Sequence, residues 1–341
     1  MIYCEQYPFV IFHKERNKMS EPKKAKWYHI RKNFLFTLLA IFLCIFCIAW
    51  WYDLPMGEGS TGIAVPLEPF QKAWHSGKVL MVGMGDSITT GFGAGGSNYG
   101  YFERLMKNAP QDAEDIKGRS LSRVFPDLTV MNLASNASSS GEHLRVQLTY
   151  LNKQEPDVLG IVALTTGGID LIHNYGKEPP KDEACYGATL QDGILYGKKF
   201  RERLNKLLDS IKERFPGGCK IFLANIYDPT DGVGDIENVH PLLRLIQKLP
   251  PWPDGVKILQ IFNQHIKEAA EARDFVYLVD IHSVMLGHGI HCKDSKNPHY
   301  CAKDPTYWYY FNLEDPNQRG YDAIRRVFLL KMIKAFDVEK K

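Results

Sequence analysis

Residues 78–89 read KVLMVGMGDSIT, an apolar run that ends in a glycine-rich turn carrying Asp86 and Ser87. The run has the length and composition of a buried strand, and a helical pattern follows the turn from Tyr99 onward. A strand, a tight turn and a helix in this order are the start of an α/β unit.

Four further apolar runs are of the same kind, at residues 128–132, 158–164, 220–226 and 276–280. Amphipathic helical periods lie between or after them, at residues 200–215, 258–272 and 320–336. Short apolar strands that alternate with amphipathic helices indicate a parallel sheet covered on both faces. The sequence therefore predicts one α/β domain over residues 78–341, built on a five-stranded parallel sheet.

Residues 34–51, FLFTLLAIFLCIFCIAWW, form an uncharged apolar run that follows a basic block at residues 23–32. At 1.5 Å per residue a helix of this length reaches about 27 Å, close to the hydrocarbon thickness of a bilayer. A core helix would have a polar face, and a cleaved signal peptide would end in small residues rather than in Trp50 and Trp51.

This pattern predicts a transmembrane signal anchor at residues 34–52, behind a cytoplasmic segment at residues 1–33. A Gly- and Pro-rich linker is expected at residues 53–77, with the domain on the periplasmic or extracellular side of the cell membrane. A cleaved signal peptide is the alternative, and Met19 offers a second start.

The 341 residues carry a formal net charge of +3, with 24% charged and 45% hydrophobic residues, which does not indicate nucleic-acid binding. Four cysteines lie beyond the apolar run, at positions 185, 219, 292 and 301. In an oxidising compartment they permit two disulfides, and Cys292 with Cys301 is the expected pair. The Cys and His spacing does not support a zinc site.

Ser87 is the candidate nucleophile because a glycine-flanked turn after a strand can present both a hydroxyl and a backbone N–H to a substrate. Such a turn could also bind phosphate, but neither GxGxxG nor GxxxxGK[ST] is present. The GxSxG pattern of α/β-hydrolases is absent as well.

The sequence Gly85-Asp86-Ser87-Ile88-Thr89 after a strand resembles the first block of the SGNH (GDSL-type) serine hydrolases. This resemblance implies a flavodoxin-like three-layer α/β sandwich and ester hydrolysis through an acyl-enzyme on Ser87. In the second block, Ala137 stands where the family has a glycine whose N–H serves the oxyanion hole, so Ser87 and Ala137 are the expected donors. In the third block, Ile169 replaces the family's asparagine, which removes an amide donor.

The last block of the family is Asp-x-x-His-Pro-Asn, and here its frame holds Asn312 in place of the Asp and Asp315 in place of the His. A histidine could instead come from His288-Gly-Ile-His291, a sequence that resembles the family's Asp-Gly-Ile-His. It precedes an apparent insertion of 24 residues. If the insertion loops out, His291 could serve as the base with Asp315 orienting it. His288, His282, His299 and Asp315 itself remain alternatives for the base.

The resemblance implies an esterase or acylhydrolase that acts on a lipid, lysophospholipid or O-acetyl glycan ester, without a metal or an organic cofactor, and the apolar run at residues 34–51 implies that this enzyme is membrane-anchored. The alternative is a binding protein for acylated or carbohydrate ligands that has lost catalysis, because residues 169, 312 and 315 all depart from the family pattern. Labelling of Ser87 by a fluorophosphonate distinguishes the two, since only an activated serine reacts.

Overall fold

The computed structural model describes residues 21–53, 60–176, 181, 183–239 and 249–337. The chain divides into two compact units, Met1–Trp50 and Trp51–Lys341. Within the first unit lies most of one long helix, α1 (Glu21–Asp53), which begins well before the predicted apolar run.

Part of α1 is long and apolar enough to cross a membrane. The segment Arg31–Ile48 has a mean hydropathy of 1.9, and none of it is buried. Length and composition alone do not separate a membrane anchor from a signal sequence at this position near the N-terminus.

The second unit is built on a five-stranded parallel sheet, as predicted. Its strands are β1 (Lys78–Met84), β2 (Asp127–Asn132), β3 (Val158–Leu164), β4 (Cys219–Ala224) and β5 (Val276–Val279). Their order is β2-β1-β3-β4-β5, and every neighbouring pair is parallel. This is the flavodoxin-like order, in which the chain leaves β1 toward one edge and returns to its other side at β3.

The helices of this unit are listed here in chain order. They are α2 (Ser87–Thr90), α3 (Tyr101–Met106), α4 (Leu121–Val124), α5 (Ser140–Glu142), α6 (Leu148–Tyr150), α7 (Gly168–Ile172), α8 (Leu190–Glu213), α9 (Gly255–Glu271), α10 (Ile281–Met285) and α11 (Gln318–Ala335). A π-helical segment, His143–Gln147, joins α5 to α6.

Alternate side chains of the central strands serve two cores, because successive residues of a strand point to opposite faces. One set, which includes Val82, Val162 and Leu223, packs with α8 and α9. The helix α11 packs with α3, β4, β5 and α10. The sheet is therefore covered by two helical layers, which gives the predicted three-layer sandwich.

Part of the predicted linker belongs to the packed domain. Val65 and Phe70 are buried, and the Arg119 side chain donates to the Val65 carbonyl over 2.6 Å. The Trp74 ring contacts Phe125 and Phe336. The Gly and Pro content of residues 53–77 thus marks irregular structure rather than a free tether over its whole length.

Candidate active site

Ser87 lies where β1 ends, and the local geometry follows from its neighbours. Gly85 has φ +132°, and a Cβ there would lie 2.1 Å from the Thr165 carbonyl oxygen, so only glycine fits. Asp86 caps α2 by accepting the Ile88 N–H over 3.2 Å, and Ser87 is the first residue of that helical turn. The turn thus presents the Ser87 side chain beyond the carboxyl ends of β1 and β3, where the strand order reverses.

Asp86 is a buried carboxyl that supports the turn. It accepts the Thr165 hydroxyl over 2.7 Å, and Thr165 in turn lies 2.9 Å from the Thr89 hydroxyl. Burial, with a smaller contribution from the charge of Asp315, raises the pKa of Asp86 to about 7. Two buried carboxyls therefore lie close to Ser87.

Asp315 is the second carboxyl, and it is only 2% exposed. Burial raises the pKa of Asp315, while the Ser87 hydroxyl and the Asn312 amide act as donors that lower it. Asn312 Nδ2 donates to Asp315 Oδ2 over 2.6 Å. Oδ1 is buried and has no partner of full hydrogen-bond geometry among the described residues. The Ser87 hydroxyl thus lies beside a carboxylate with one unoccupied oxygen.

The backbone of residues 312–315 is held from three sides. Tyr175 donates its hydroxyl to the Asn312 carbonyl over 2.9 Å, and Tyr227 donates to the Glu314 carbonyl. The Tyr310 N–H donates to the Asp315 carbonyl over 2.7 Å. Leu313, between them, has φ +62°, an unfavourable conformation for a leucine. The surrounding contacts therefore impose the position of Asp315.

Ala137 has φ +55°, so it adopts the left-handed conformation that glycine favours. Both of its neighbours bond to the turn that carries Ser87. Thr90 donates its hydroxyl to the Asn136 side chain, and the Ser138 hydroxyl donates to the Gly85 carbonyl over 2.8 Å. Within the described part of the chain, neither the Ala137 N–H nor the Ser87 N–H donates a hydrogen bond. Two unengaged backbone donors are thus tied to the same turn.

A buried polar network behind these donors was not predicted. Gln147 accepts the Gly85 N–H over 2.9 Å and donates to the Gly85 carbonyl over 2.7 Å and to Ser138 Oγ over 2.9 Å. His143 lies 3.0 Å from both Ser138 Oγ and Thr166 Oγ1, and burial lowers its pKa to about 4. Nothing in the spacing of these residues distinguishes them from an ordinary amphipathic helix.

Ile169 occupies the position where the family has an asparagine, and its side chain lines the pocket next to Ser87. The following residue, Asp170, is fully buried and accepts the Ser140 N–H and an Arg203 N–H, each over 2.9 Å. Asp170 is therefore engaged in holding α7, α5 and α8 together, while Ile169 adds an apolar surface to the site.

The pocket beside Ser87 has about 840 Å³ of empty space out to its open mouth. The polar residues of its lining are Asp86, Ser87, Asp228, Thr230 and Glu314. Its walls are mostly apolar, with Ile88, Ile169, Leu171, Ile172, Tyr175, Ile226, Tyr227, Ile236, Trp252, Leu259 and Leu313 among them. A pocket of this volume, with mostly apolar walls and a few polar groups, suits a small ligand that has a long apolar part.

The structure does not bring His291 to Asp315. The His291 Nε2 atom lies 2.8 Å from Asp235 Oδ1, and the His291 N–H donates to Asp231 over 3.0 Å. Asp231 also accepts the N–H groups of Gly287 and Gly289, each over 2.9 Å, so it anchors this loop. The expected pair of His291 and Asp315 is absent because the loop is fixed by Asp231 and Asp235.

The other candidate histidines lie elsewhere as well. His288 is stacked on Trp308 with Nδ1 3.0 Å from the Thr306 carbonyl, and burial lowers its pKa to about 4. His282 Nδ1 lies 2.8 Å from the Ile226 carbonyl, and His299 packs near Gly232. Among the described residues, no histidine lines the pocket that contains Ser87.

Cys292 and Cys301 are not bonded to each other; both are free thiols, and so are Cys185 and Cys219. The predicted disulfide is therefore wrong for this structure. The insertion is held instead by the Asn297 side chain, which donates to the Asp231 carbonyl over 3.3 Å, and by the bridge between Tyr309 and Pro316. Within the described ranges, no group of three or more His, Cys, Asp or Glu residues could hold a metal ion.

The model of the GDSL-like lipase/acylhydrolase family matches residues 84–323 of this chain. Similar solved structures include a lipase from a goat rumen metagenome, 16% identical with a TM-score of 0.44, covering 76% of this chain and 97% of the other. An extracellular lipase from Streptomyces rimosus is 17% identical with a TM-score of 0.43, covering 75% and 99%. Phospholipase A1 from Streptomyces albidoflavus NA297 is 15% identical with a TM-score of 0.40, covering 77% and 99%. A search of curated proteins finds no match.

Proposed function

Because this chain belongs to the GDSL-like lipase/acylhydrolase family, we propose that it is a serine esterase that hydrolyses carboxylic esters through an acyl-enzyme on Ser87. The observation that carries the proposal is the position of Ser87, which lies beside the buried Asp315 carboxylate and lines a mostly apolar pocket. In this proposal the base is Asp315 and not His291, whose ring is engaged by Asp235.

The reaction starts when Ser87 Oγ attacks the ester carbonyl carbon and its proton passes to Asp315 Oδ1. The carbonyl oxygen becomes an oxyanion that the N–H groups of Ser87 and Ala137 bind. The intermediate then collapses, and the leaving alcohol takes the proton from Asp315. Water attacks the acyl-enzyme, Asp315 accepts its proton, and the proton returns to Ser87 as the carboxylic acid leaves.

A carboxylate is a weak base for a serine hydroxyl when its pKa is ordinary. Burial raises the pKa of Asp315 and so makes its ionised form a stronger base. Ile169 supplies no donor, so the oxyanion relies on backbone N–H groups. The carboxylate base and the missing amide donor at position 169 together predict an enzyme that is slower than one with a His base and an amide donor.

The apolar pocket walls favour lipid or lysophospholipid esters with an acyl chain over O-acetyl glycans, because an acetyl group would leave most of that surface unfilled. We further propose that the apolar segment of α1 anchors the protein in the membrane, with the domain on the outer side.

The test measures hydrolysis of p-nitrophenyl esters from acetate to decanoate. Ser87→Ala should abolish activity, and Asp315→Asn should lower kcat by about 10³-fold or more. His291→Ala should retain most activity, and the longer esters should be preferred. Full activity in Asp315→Asn, or loss only in His291→Ala, would overturn the assignment of the base.

A second candidate function is ligand binding without catalysis. It is favoured by Ile169 in the pocket and by the lack of a histidine among its described lining residues. In that case Ser87 would not react with a fluorophosphonate, whereas a fluorescent fatty ester would still bind and would be displaced by unlabelled ester.

A further inference from the structure

The amide of Asn312 has a role that the esterase proposal leaves unassigned. Its Nδ2 donates to Asp315 Oδ2 over 2.6 Å, and this is the one hydrogen bond of full geometry that the described residues make to that carboxylate's side chain. The opposite oxygen, Oδ1, is buried and has no partner among the described residues, and the Ser87 hydroxyl lies close enough to this carboxyl group to lower its pKa. The donor thus occupies one oxygen and leaves the other for the serine proton.

The orientation of the Asn312 amide is fixed by its neighbours. Its Oδ1 accepts the N–H groups of Glu314 and Asp315, each over 3.2 Å. If the amide were flipped, its NH₂ group would face these two N–H donors, and both would lose their acceptor. Tyr175 additionally holds the Asn312 carbonyl. The amide can therefore only donate to Asp315.

We propose that Asn312 is the positioning residue of the base: its amide orients the Asp315 carboxylate so that Oδ1 faces the Ser87 hydroxyl. This inference rests on the proposed esterase function. In the family, the Asp at the first position accepts a hydrogen bond from the His at the second. Here the direction is reversed: Asn312 at the first position donates, and Asp315 at the second position accepts. An aspartate at 312 would instead set two carboxylates against each other.

The Asn312 amide matters for the negative charge of Asp315 because the neighbouring groups do not compensate that charge. Four groups interact electrostatically with Asp315, and none of them is a cation: Asp86, Tyr175, Tyr227 and Tyr321. Besides the Ser87 hydroxyl, the Asn312 amide is the donor that favours the ionised carboxylate. Removing the amide should therefore raise the pKa of Asp315 further.

The experiment is the pH profile of kcat for Asn312→Leu in the full-length protein, with Asn152→Leu as a matched control on the surface. Since hydrogen bonds to charged groups contribute about 1.5–3 kcal/mol, the apparent pKa of the acid limb should rise by roughly 1 to 2 on the pH scale. The rate of fluorophosphonate labelling should show the same displacement. The control should leave both unchanged, because Asn152 is exposed.

Asn312→Asp is a second variant for the case in which the leucine does not fold, because it keeps the acceptor of the turn. It should also displace the profile, since the two carboxylates must share a proton. An unmoved profile with only a lower kcat or melting temperature would overturn the inference, because a purely structural role has that outcome. Full activity of Asp315→Asn would instead overturn the esterase mechanism itself, so the two failures are distinct.

Discussion

At Ser87, the hydroxyl faces a carboxylate where the family has an imidazole. Ser87, Asp315 and Asn312 form a chain of hydroxyl, acceptor and donor, and the buried surroundings raise the pKa of the acceptor. The exchange at positions 312 and 315 is chemically matched, because restoring an aspartate at 312 alone would leave two carboxylates in contact. The two departures from the family pattern therefore depend on each other.

The pH dependence of activity follows from the direction of the Asp315 shift. The carboxyl accepts the serine proton only when it is ionised, and burial raises its pKa above the ordinary value of 3.8. Activity should therefore be low in acid and rise with pH through an apparent pKa that lies above the ordinary aspartate value. A pH series of kcat checks this, and activity that stays full down to pH 4 would contradict it. The neighbouring Asp86, with a pKa of about 7, should make the titration broader than a single ionisation.

Ile169 gives a prediction in the direction of gain. Ile169→Asn should place an amide donor next to Ser87, where loss of one such donor in other enzymes costs about 10² to 10³ in rate. We expect kcat to rise by on the order of 10-fold or more while KM for long-chain esters worsens. Ile172→Asn, on the same pocket wall, serves as the control for polarity alone. Equal effects of the two variants would show that position 169 has no special relation to the oxyanion.

The site shows which residue roles can be predicted from the sequence. Ser87 and the frame of residues 312–317 could be located from the sequence, because Ser87 lies just after a strand and the frame lies just before a helix. His291 could not, because its position depends on how Asp231 and Asp235 anchor the loop, and those contacts span 56 residues or more. The φ of +55° at Ala137 could not be predicted either, since the contacts of Asn136 and Ser138 determine its backbone.

At the scale of elements, the strands were predicted closely because each is a short apolar run bounded by polar or glycine residues. The start of α8 was missed: it begins at Leu190 rather than at residue 200. Gly193 and Gly197 weaken the helical pattern there, yet they let α9 approach, and a Cβ on Gly193 would lie 2.4 Å from the Ile258 side chain. Helix packing thus overrides local propensity in this stretch.

The segment His143–Gln147 connects the turn that carries Ser87 with the loop that carries Ala137, because Gln147 bonds to both Gly85 and Ser138. Gln147→Leu should leave the buried Gly85 N–H without its acceptor, which costs about 1–3 kcal/mol, and should remove one donor each from the Gly85 carbonyl and from Ser138 Oγ. We expect a lower melting temperature and a lower kcat with little change in KM, because the Ala137 N–H loses its support. Gln264→Leu on the exposed face of α9 is the control. A change in stability without a change in kcat would limit Gln147 to a structural role.

Helix α11 is tied to the segment before β2 by a buried network of charges. Arg325 is fully buried and contacts Asp112 over 2.6 Å and also Asp322, while Arg104 contacts Asp112 over 2.9 Å. Arg325→Met should destabilise the domain by about 3–5 kcal/mol, because Asp112 loses part of its compensation. Lys117→Ala, at an exposed pair with Glu114, should change stability by less than about 1 kcal/mol. Urea unfolding of both variants measures the difference, and a similar small effect of both would contradict the prediction.

At the scale of the whole molecule, the strand order explains why the site lies where it does. The chain passes from β1 to β2 on one side and then crosses to β3 on the other side of β1, which opens a crevice at the carboxyl ends of β1 and β3. The turn after β1 supplies Ser87, and the turn after β3 supplies Ile169. The site is thus a consequence of topology, and the chemistry within it depends on the loops.

The last prediction concerns α1, whose apolar segment is exposed along its length. The full-length protein should sediment with membranes, resist extraction by salt and alkaline carbonate, and be released by detergent. The double variant Leu39→Arg and Phe42→Arg should lose this behaviour, because an arginine at the centre of a span costs about 2.5–3.5 kcal/mol. The control Ile194→Arg, at an exposed position in the domain, should leave membrane association unchanged.

The orientation of the protein is tested by adding protease to intact cells. The protease should cleave the domain, since the basic block before the span predicts that the N-terminus faces the cytoplasm. A soluble protein that begins near residue 53 would identify α1 as a cleaved signal, and protection of the domain from protease would reverse the orientation.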